Sequence, residues 1–436
     1  MKQHIKLKLK QAISAVRFPH WQDILQKKGI AKTNLHPEID LVFDKYQLPI
    51  WVTQEYRPSG QNWDVTELAA GLDRIYRIIL QRDREIPPEL IRELSDVPIV
   101  EEAQVGAIGR VDLPKLMPTQ MSVVSDRKSR DAIHLDRAHQ LFTQGHPEVT
   151  VAVLDTGVNL NHPEYEHTLL PGYDFVNIIN GADKFIGDFL GYDDDPEDEV
   201  GHGTHVAGII AGKGERMPEG VVPKCRILPV RVLGAMKQGS KRVGAGLVDN
   251  INSGIKWAID QGADVINMSL GIQHTGGGLP HQEIVDYAQR RGVTIVAASG
   301  NDGREQFYYP GALPYVIAVG ALDELGDMAH FSTYGKQVDL VAPGTNIYST
   351  YLNNDYAFST GTSHASPFVA GAVAMLKSYA LQKRGERLSD SQVKYLLKHT
   401  ADRIDNRFKD RKAGFGKLNL IDALRLLEYK LLGKGY

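Results

Sequence analysis

The sequence predicts an α/β fold: a doubly wound, mostly parallel sheet flanked by helices, with a small α+β unit ahead of it. Three observations predict it. From residue 149 onward, short and almost wholly apolar runs recur. Helical stretches alternate with those runs, and the first hundred or so residues follow neither pattern. Strands that are apolar on both faces are buried on both faces, as in a parallel sheet covered by helices.

The N-terminal unit comes first. Residues 48–55 read as a strand. Asp64 then caps an amphipathic helical stretch with Leu68, Leu72, Ile75, Ile78 and Ile79 on one face. A second short helix starts near Pro87-Pro88 with Leu90, Ile91 and Leu94 inward, and Val97 to Val105 reads as another strand. The expected division is 1–109 for this unit, 110–132 for a polar linker and 133–436 for the main domain.

In the main domain the expected strands are the runs 149–154, 225–233, 265–270, 293–298, 316–319 and 338–342. Helices are expected at 202–212, 246–261, 281–291 and 363–383. A final helix at 389–400 opens with a Ser-Asp cap. Ligands in such sheets gather beyond the carboxyl ends of the strands. Asp155 ends the first run and Asn301 follows the fourth, so both fall where that rule places chemistry.

Composition narrows the class. Hydrophobic residues make up 42% and charged residues 24% of 436, as in an ordinary globular chain. A net charge of −3 gives no reason to expect nucleic acid or an anionic membrane as a partner. The single cysteine, Cys225, excludes an intrachain disulfide and reads as a buried thiol. Lysines interrupt the apolar residues of the N-terminus, so no signal-peptide core is expected, and no window approaches a membrane span. The expectation is a cytoplasmic protein, with leaderless export left open.

Three short blocks carry the chemistry. They are 151–157 (Val-Ala-Val-Leu-Asp-Thr-Gly), 202–208 (His-Gly-Thr-His-Val-Ala-Gly) and 361–367 (Gly-Thr-Ser-His-Ala-Ser-Pro). Taken singly, Asp155 is a turn residue after a strand and the Gly-Thr-Ser block is a helix cap. Taken in order, they supply an orienting carboxylate, a general base (His202) and a nucleophile (Ser363). His202 and His205 stand three apart, but no third ligand accompanies them at metal spacing, so His205 is expected to be structural.

At these residues the chain resembles the subtilisin-like serine proteases. The similarity continues through 267–271 (Asn-Met-Ser-Leu-Gly), 297–301 (Ala-Ala-Ser-Gly-Asn), 309–311 (Tyr-Pro-Gly), 316–321, 340–344 and 414–419, all in the family's order. It covers roughly residues 130 to 425. The resemblance implies peptide-bond hydrolysis by Asp155, His202 and Ser363, with the Asn301 side chain and the serine N–H facing the oxyanion. It implies that Ser269, Leu270 and Gly271, with Ala298, Ser299 and Gly300, meet a protein or peptide substrate in extended conformation. Residues around Gly244 and Gly246 would form the opposite rim. No organic cofactor is implied.

Several features depart from the family or lie outside the site. His364 stands where methionine is usual, and reads as a packing substitute. Tyr308 falls near a position that is often glycine at the floor of the specificity pocket, which disfavours large aromatic side chains before the cut. Asp302, beside that pocket, would favour a basic or polar one. Residues 192–199 hold six carboxylates just ahead of His202, a self-repelling cluster that suits structural Ca²⁺; the resemblance to thermostable subtilases that hold calcium in this loop implies Asp193, Asp195 and Glu197 as ligands, with Asp188 a looser match. The alternative is a solvated acidic loop. The N-terminal unit resembles a propeptide that would act as an intramolecular inhibitor, with self-cleavage near Gly109-Arg110 and a second, exposed site at Arg127-Lys128-Ser129-Arg130. A permanently attached docking domain is the other reading. The function expected is serine endopeptidase, against a restricted processing protease for one peptide or a catalytically silent binding module.

Overall fold

The computed structural model describes residues 3–13, 16–25, 28–82, 84–112, 117–118, 127–176, 194–238, 241–273, 279–404 and 407–433. Its centre is a seven-stranded sheet. In spatial order the strands are Val338–Pro343, Val316–Leu322, Thr294–Ala298, Val265–Met268, Thr150–Asp155, Arg226–Arg231 and Tyr173–Asp174. Each neighbouring pair runs parallel, and the six expected runs all appear as strands. Tyr173–Asp174 is an edge strand of two residues. So short a run carries no periodicity to read.

Alternation along one strand shows how the layers form. Val151 and Val153 pack with Val206, Ile209 and Phe368, on helices His202–Ala211 and Thr362–Arg384. Ala152 and Leu154 face the other way, towards Ile251, Ile255 and Ile284 on helices Val248–Asp260 and Gln282–Arg290. Successive side chains point to opposite faces of a sheet, so an all-apolar strand needs helices on both sides. The last helix is Leu420–Leu432, capped by the Asn419 side chain, which accepts from Asp422 N at 3.0 Å. The sequence reading ended one helix too early, at Asp390–Thr400.

The N-terminal unit is a four-stranded antiparallel sheet in the order Ile50–Gln54, Ile75–Leu80, His4–Leu9, Val100–Val105. The stretch after Asp64 corrects the expectation. Its helix covers only Val65–Ala70, with a capping box between Asp64 and Glu67, and ends at Gly71 in the left-handed region (φ 72°). Ile75, Ile78 and Ile79 belong to a strand buried along its whole length. A helical stripe and a fully buried strand look alike in a short apolar run, and the isoleucines favour the strand.

This sheet lies over helices Val248–Asp260 and Gln282–Arg290 through paired charges. His4 Nε2 meets Asp249 Oδ2 at 2.7 Å and Lys6 Nζ meets Glu283 Oε1 at 3.0 Å. Arg77 donates to Glu55 at 2.6 Å and to Asn250 Oδ1 at 2.9 Å. Lys256 Nζ donates to Glu67 Oε1 at 2.7 Å. Tyr56, Leu72 and Ile75 join the apolar cluster of those two helices.

The segment Arg127–Arg130 is not the exposed loop expected. Arg130 is 1% exposed, and its guanidinium donates to the carbonyls of Glu219, Tyr348 and Pro218 at 3.3–3.5 Å while lying over the Phe368 ring. Cleavage after Arg130 would require pulling a buried cation out of its carbonyl partners.

Candidate active site

Asp155 is the last residue of strand Thr150–Asp155, fifth in the sheet's spatial order, at the point where the chain turns from one half of the sheet to the other. His202 opens the helix packed across that strand end. The approach is close: a Cβ on Gly203 would stand 2.1 Å from Gly157 O and 2.9 Å from Asp155 Cβ. A side chain there would push the imidazole away from the carboxylate. Asp155 Oδ1 accepts from His202 Nδ1 at 2.6 Å and from Thr156 N at 2.8 Å. Asp198 fixes the turn before the helix, its two oxygens accepting from Thr156 Oγ1, Val200 N, Gly201 N, Thr204 N and Thr204 Oγ1.

Ser363 lies in the first turn of the buried helix Thr362–Arg384. Its hydroxyl donates to Ser269 O at 3.0 Å, not to His202. His202 Nε2 is buried and makes no hydrogen bond in this arrangement. Asn301 is better determined. Its Oδ1 accepts from Thr362 N at 2.8 Å and from Thr362 Oγ1 at 2.9 Å. Because Thr362 N can only donate, the amide NH₂ must take the opposite side, as an oxyanion donor requires.

The remaining expected residues divide. Leu270, Gly271, Ala298 and Gly300 line one cleft with Asn301 and Ser363. Ser269 is buried, and its hydroxyl donates to Ser363 O at 2.7 Å, so only its backbone is available to a ligand. Ser299 turns away, its hydroxyl donating to Thr333 O at 2.9 Å. His205 is structural: its Nε2 lies 3.1 Å from the carbonyls of Ile347 and Ala357, and burial pushes its pKa down to about 3. His364 is buried against His205, ring centroids 4.5 Å apart. Cys225 is also buried, which pushes its thiol up to about 11. Asp302 lines the cleft and is exposed, its Oδ2 accepting from Gln273, Tyr308 and Arg304.

Strand Ile108–Asp112 enters the same cleft. It pairs antiparallel with Lys241–Leu247, matching Gly109 with Gly246 and Val111 with Gly244, and Ile108 and Val111 line the cleft with Ser363. Farther on, Met117 pairs with Phe358, five residues before the serine. Gly109 and Arg110 therefore sit inside a paired strand. The rim expected around Gly244 and Gly246 is thus the strand that Gly109 and Arg110 pair with.

Asp193 and Asp188 of the acidic stretch lie outside the described residues. Asp195 Oδ1 accepts from Glu197 N and Glu197 Oε2 from Leu160 N, both at 3.0 Å. The buried Arg231 guanidinium donates to Glu197 O at 2.7 Å and lies 3.7 Å from Asp174 and 3.9 Å from Glu199. Among the described residues, no three His, Cys, Asp or Glu side chains gather to hold a metal ion.

Burial alone would depress the His202 pKa, but attraction and hydrogen bonding from Asp155, with Asp198 nearby, outweigh it and raise it above 6.5. The base works only when neutral, so kcat/KM for peptide cleavage should fall as pH drops through a value above 6.5. An acid-limb inflection at or below 6.5 would contradict this environment.

Comparison with known proteins agrees with the geometry. Residues 146–416 match the model of the subtilase family. The chain is 38% identical over 285 residues to a thermophilic serine proteinase of Bacillus sp. (strain AK1), covering 65% of this chain and 63% of that protein. It is 36% identical over 289 residues to the major intracellular serine protease of Bacillus subtilis (strain 168), covering 64% and 85%. Among solved structures, a lanthipeptide protease superposes with a TM-score of 0.57 at 25% identity, over 69% of this chain and 93% of that one. The prenylagaramide maturation protease PagA gives 0.54 at 30% identity, over 67% and 98%. With its family blocks in order, its parallel sheet and a carboxylate–imidazole pair at the switch point, the chain belongs to the subtilase family of serine proteases.

Proposed function

We propose that this chain is a serine endopeptidase made as a self-inhibited precursor. The observation that carries the reading is the Asp155–His202 hydrogen bond, set beside Ser363 and an Asn301 amide aimed by Thr362. Ser363 Oγ attacks the carbonyl carbon while His202 Nε2 takes its proton. Asp155 stabilises the imidazolium, and Asn301 Nδ2 and Ser363 N donate to the oxyanion. Collapse expels the amine with the proton from His202, and water then hydrolyses the acyl-enzyme. An extended substrate along Leu270 and Gly271 brings backbone N–H groups that compete for Ser269 O, releasing the serine hydroxyl towards His202.

The N-terminal unit acts as the inhibitor in this reading. Support comes from strand Ile108–Asp112 on the rim strand Lys241–Leu247 and from the charged contacts over the two outer helices. The unit then ends beyond residue 109, and the cut falls between Asp112, on the rim strand, and Met117, which pairs with Phe358. Residence in the cytoplasm is part of the reading, supported by similarity to an intracellular protease. No helix among the described residues is long and apolar enough to cross a membrane.

A second reading is a restricted processing protease, favoured by the side chain that fills the cleft between Gly271 and Gly300 and by two structural neighbours named for peptide maturation or lanthipeptides. Digestion of casein separates the two, because a restricted enzyme leaves it intact. Structural Ca²⁺ on the loop of Asp193, Asp195 and Glu197 completes the proposal. Its support is crowding: burial, with Asp195 and Asp198 as like charges, pushes the Glu197 carboxyl up.

Two outcomes test the proposal. Ser363→Ala should remain full length, whereas the unaltered protein should gain a new N-terminus within 113–117; a shortened variant from a protease-free preparation would refute self-processing. For the loop, the melting temperature of Ser363→Ala should rise with Ca²⁺ and fall with chelator. Identical melting in both removes the metal from the reading.

A further inference from the structure

The cleft beside Ser363 and Asn301 is walled by two glycines, Gly271 on one side and Gly300 on the other. Walls without side chains leave a flat slot. In this chain the slot holds a residue of its own. A Cβ on Gly300 would stand 2.5 and 2.6 Å from Tyr308 Cε2 and Cδ2. A Cβ on Gly271 would stand 3.0 and 3.1 Å from Tyr308 Cβ and Cδ1. The ring therefore spans from one backbone to the other.

Its hydroxyl is tied at both walls. Tyr308 Oη donates to Asp302 Oδ2 at 2.9 Å and accepts from Gln273 Nε2 at 2.6 Å. Gln273 Nε2 also donates to the same Asp302 oxygen at 2.9 Å. Gln273 follows the Gly271 wall by two residues and Asp302 follows the Gly300 wall by two. The three polar groups thus bridge the walls, with the ring held between them. An incoming aromatic or long side chain would have to evict the ring and break these hydrogen bonds.

We infer that Tyr308, held by Gln273 and Asp302, closes the slot that would receive the side chain just before the cut, so the enzyme rejects aromatic and long side chains there. This rests on Ser363 and Asn301 being the reacting centre, since their position defines which slot is adjacent to the scissile bond.

The test uses peptide anilides that differ only in the last residue, Ala against Phe, with the purified, processed enzyme. The unaltered enzyme should favour Ala. Tyr308→Gly should raise the Phe-to-Ala ratio of kcat/KM on the order of 100-fold, the scale on which an apolar pocket discriminates by size. Gln273→Ala, which unties the hydroxyl without removing the ring, should move the ratio the same way by less, and it serves if Tyr308→Gly does not fold. An unaltered enzyme that prefers Phe, or ratios unchanged in both variants, would overturn the proposal. A small fluorophosphonate run in parallel separates the causes: label on Ser363 with unchanged ratios sinks the slot alone, whereas no label sinks the reacting centre beneath it.

Discussion

The 2.6 Å contact between Asp155 and His202 is the constraint on which the rest of the molecule depends. Both residues are buried, so the pair must be assembled by the fold. A buried carboxylate is tolerable only when paired and hydrogen-bonded. The parallel sheet provides the pairing by ending strand Thr150–Asp155 at the carboxylate. The bare Gly203 lets the next helix approach until the imidazole meets it. Asp198, with five donors on its two oxygens, holds the entry to that helix, so the histidine is aimed before any substrate arrives. Orientation supplied in advance is what makes electrostatic catalysis effective.

The nucleophile is held differently. Ser363 is bound through its hydroxyl to Ser269 O, and through its carbonyl to Ser269 Oγ. One residue thus contacts the serine twice, and its backbone oxygen borders the edge where an extended chain is expected to pair. The N-terminal unit completes this resting state. It covers the outer helices with ion pairs and sends strand Ile108–Asp112 along the rim. Charged contacts of this kind fix orientation and register, while their net stabilisation is small once desolvation is counted.

Much of this was legible in the residues, for a physical reason. Strands buried on both faces are apolar runs, and catalytic side chains sit at their carboxyl ends, so Asp155 and Asn301 were found by position as well as by motif. What escaped was structure without periodicity. The isoleucines at 75, 78 and 79 fit a helical stripe until the Gly71 cap ends the helix and a four-stranded sheet claims them. Arg130 and Arg231 were unreadable as buried cations because carbonyl oxygens are among the partners of both, and every residue has one. Arg130 looked like part of an exposed basic run until the fold buried it.

The most direct test is the rate at which a fluorophosphonate labels Ser363 in the processed enzyme and in Asp155→Asn first freed of its N-terminal unit by the unaltered enzyme. The substitution keeps the shape of the side chain but leaves the imidazole in the wrong tautomer and removes the charge that stabilises its protonated form. The account predicts a folded variant with unchanged melting, and labelling slower by roughly three to four orders of magnitude. A variant that labels within a few-fold of the unaltered enzyme would show that the carboxylate–imidazole pair does not drive the chemistry.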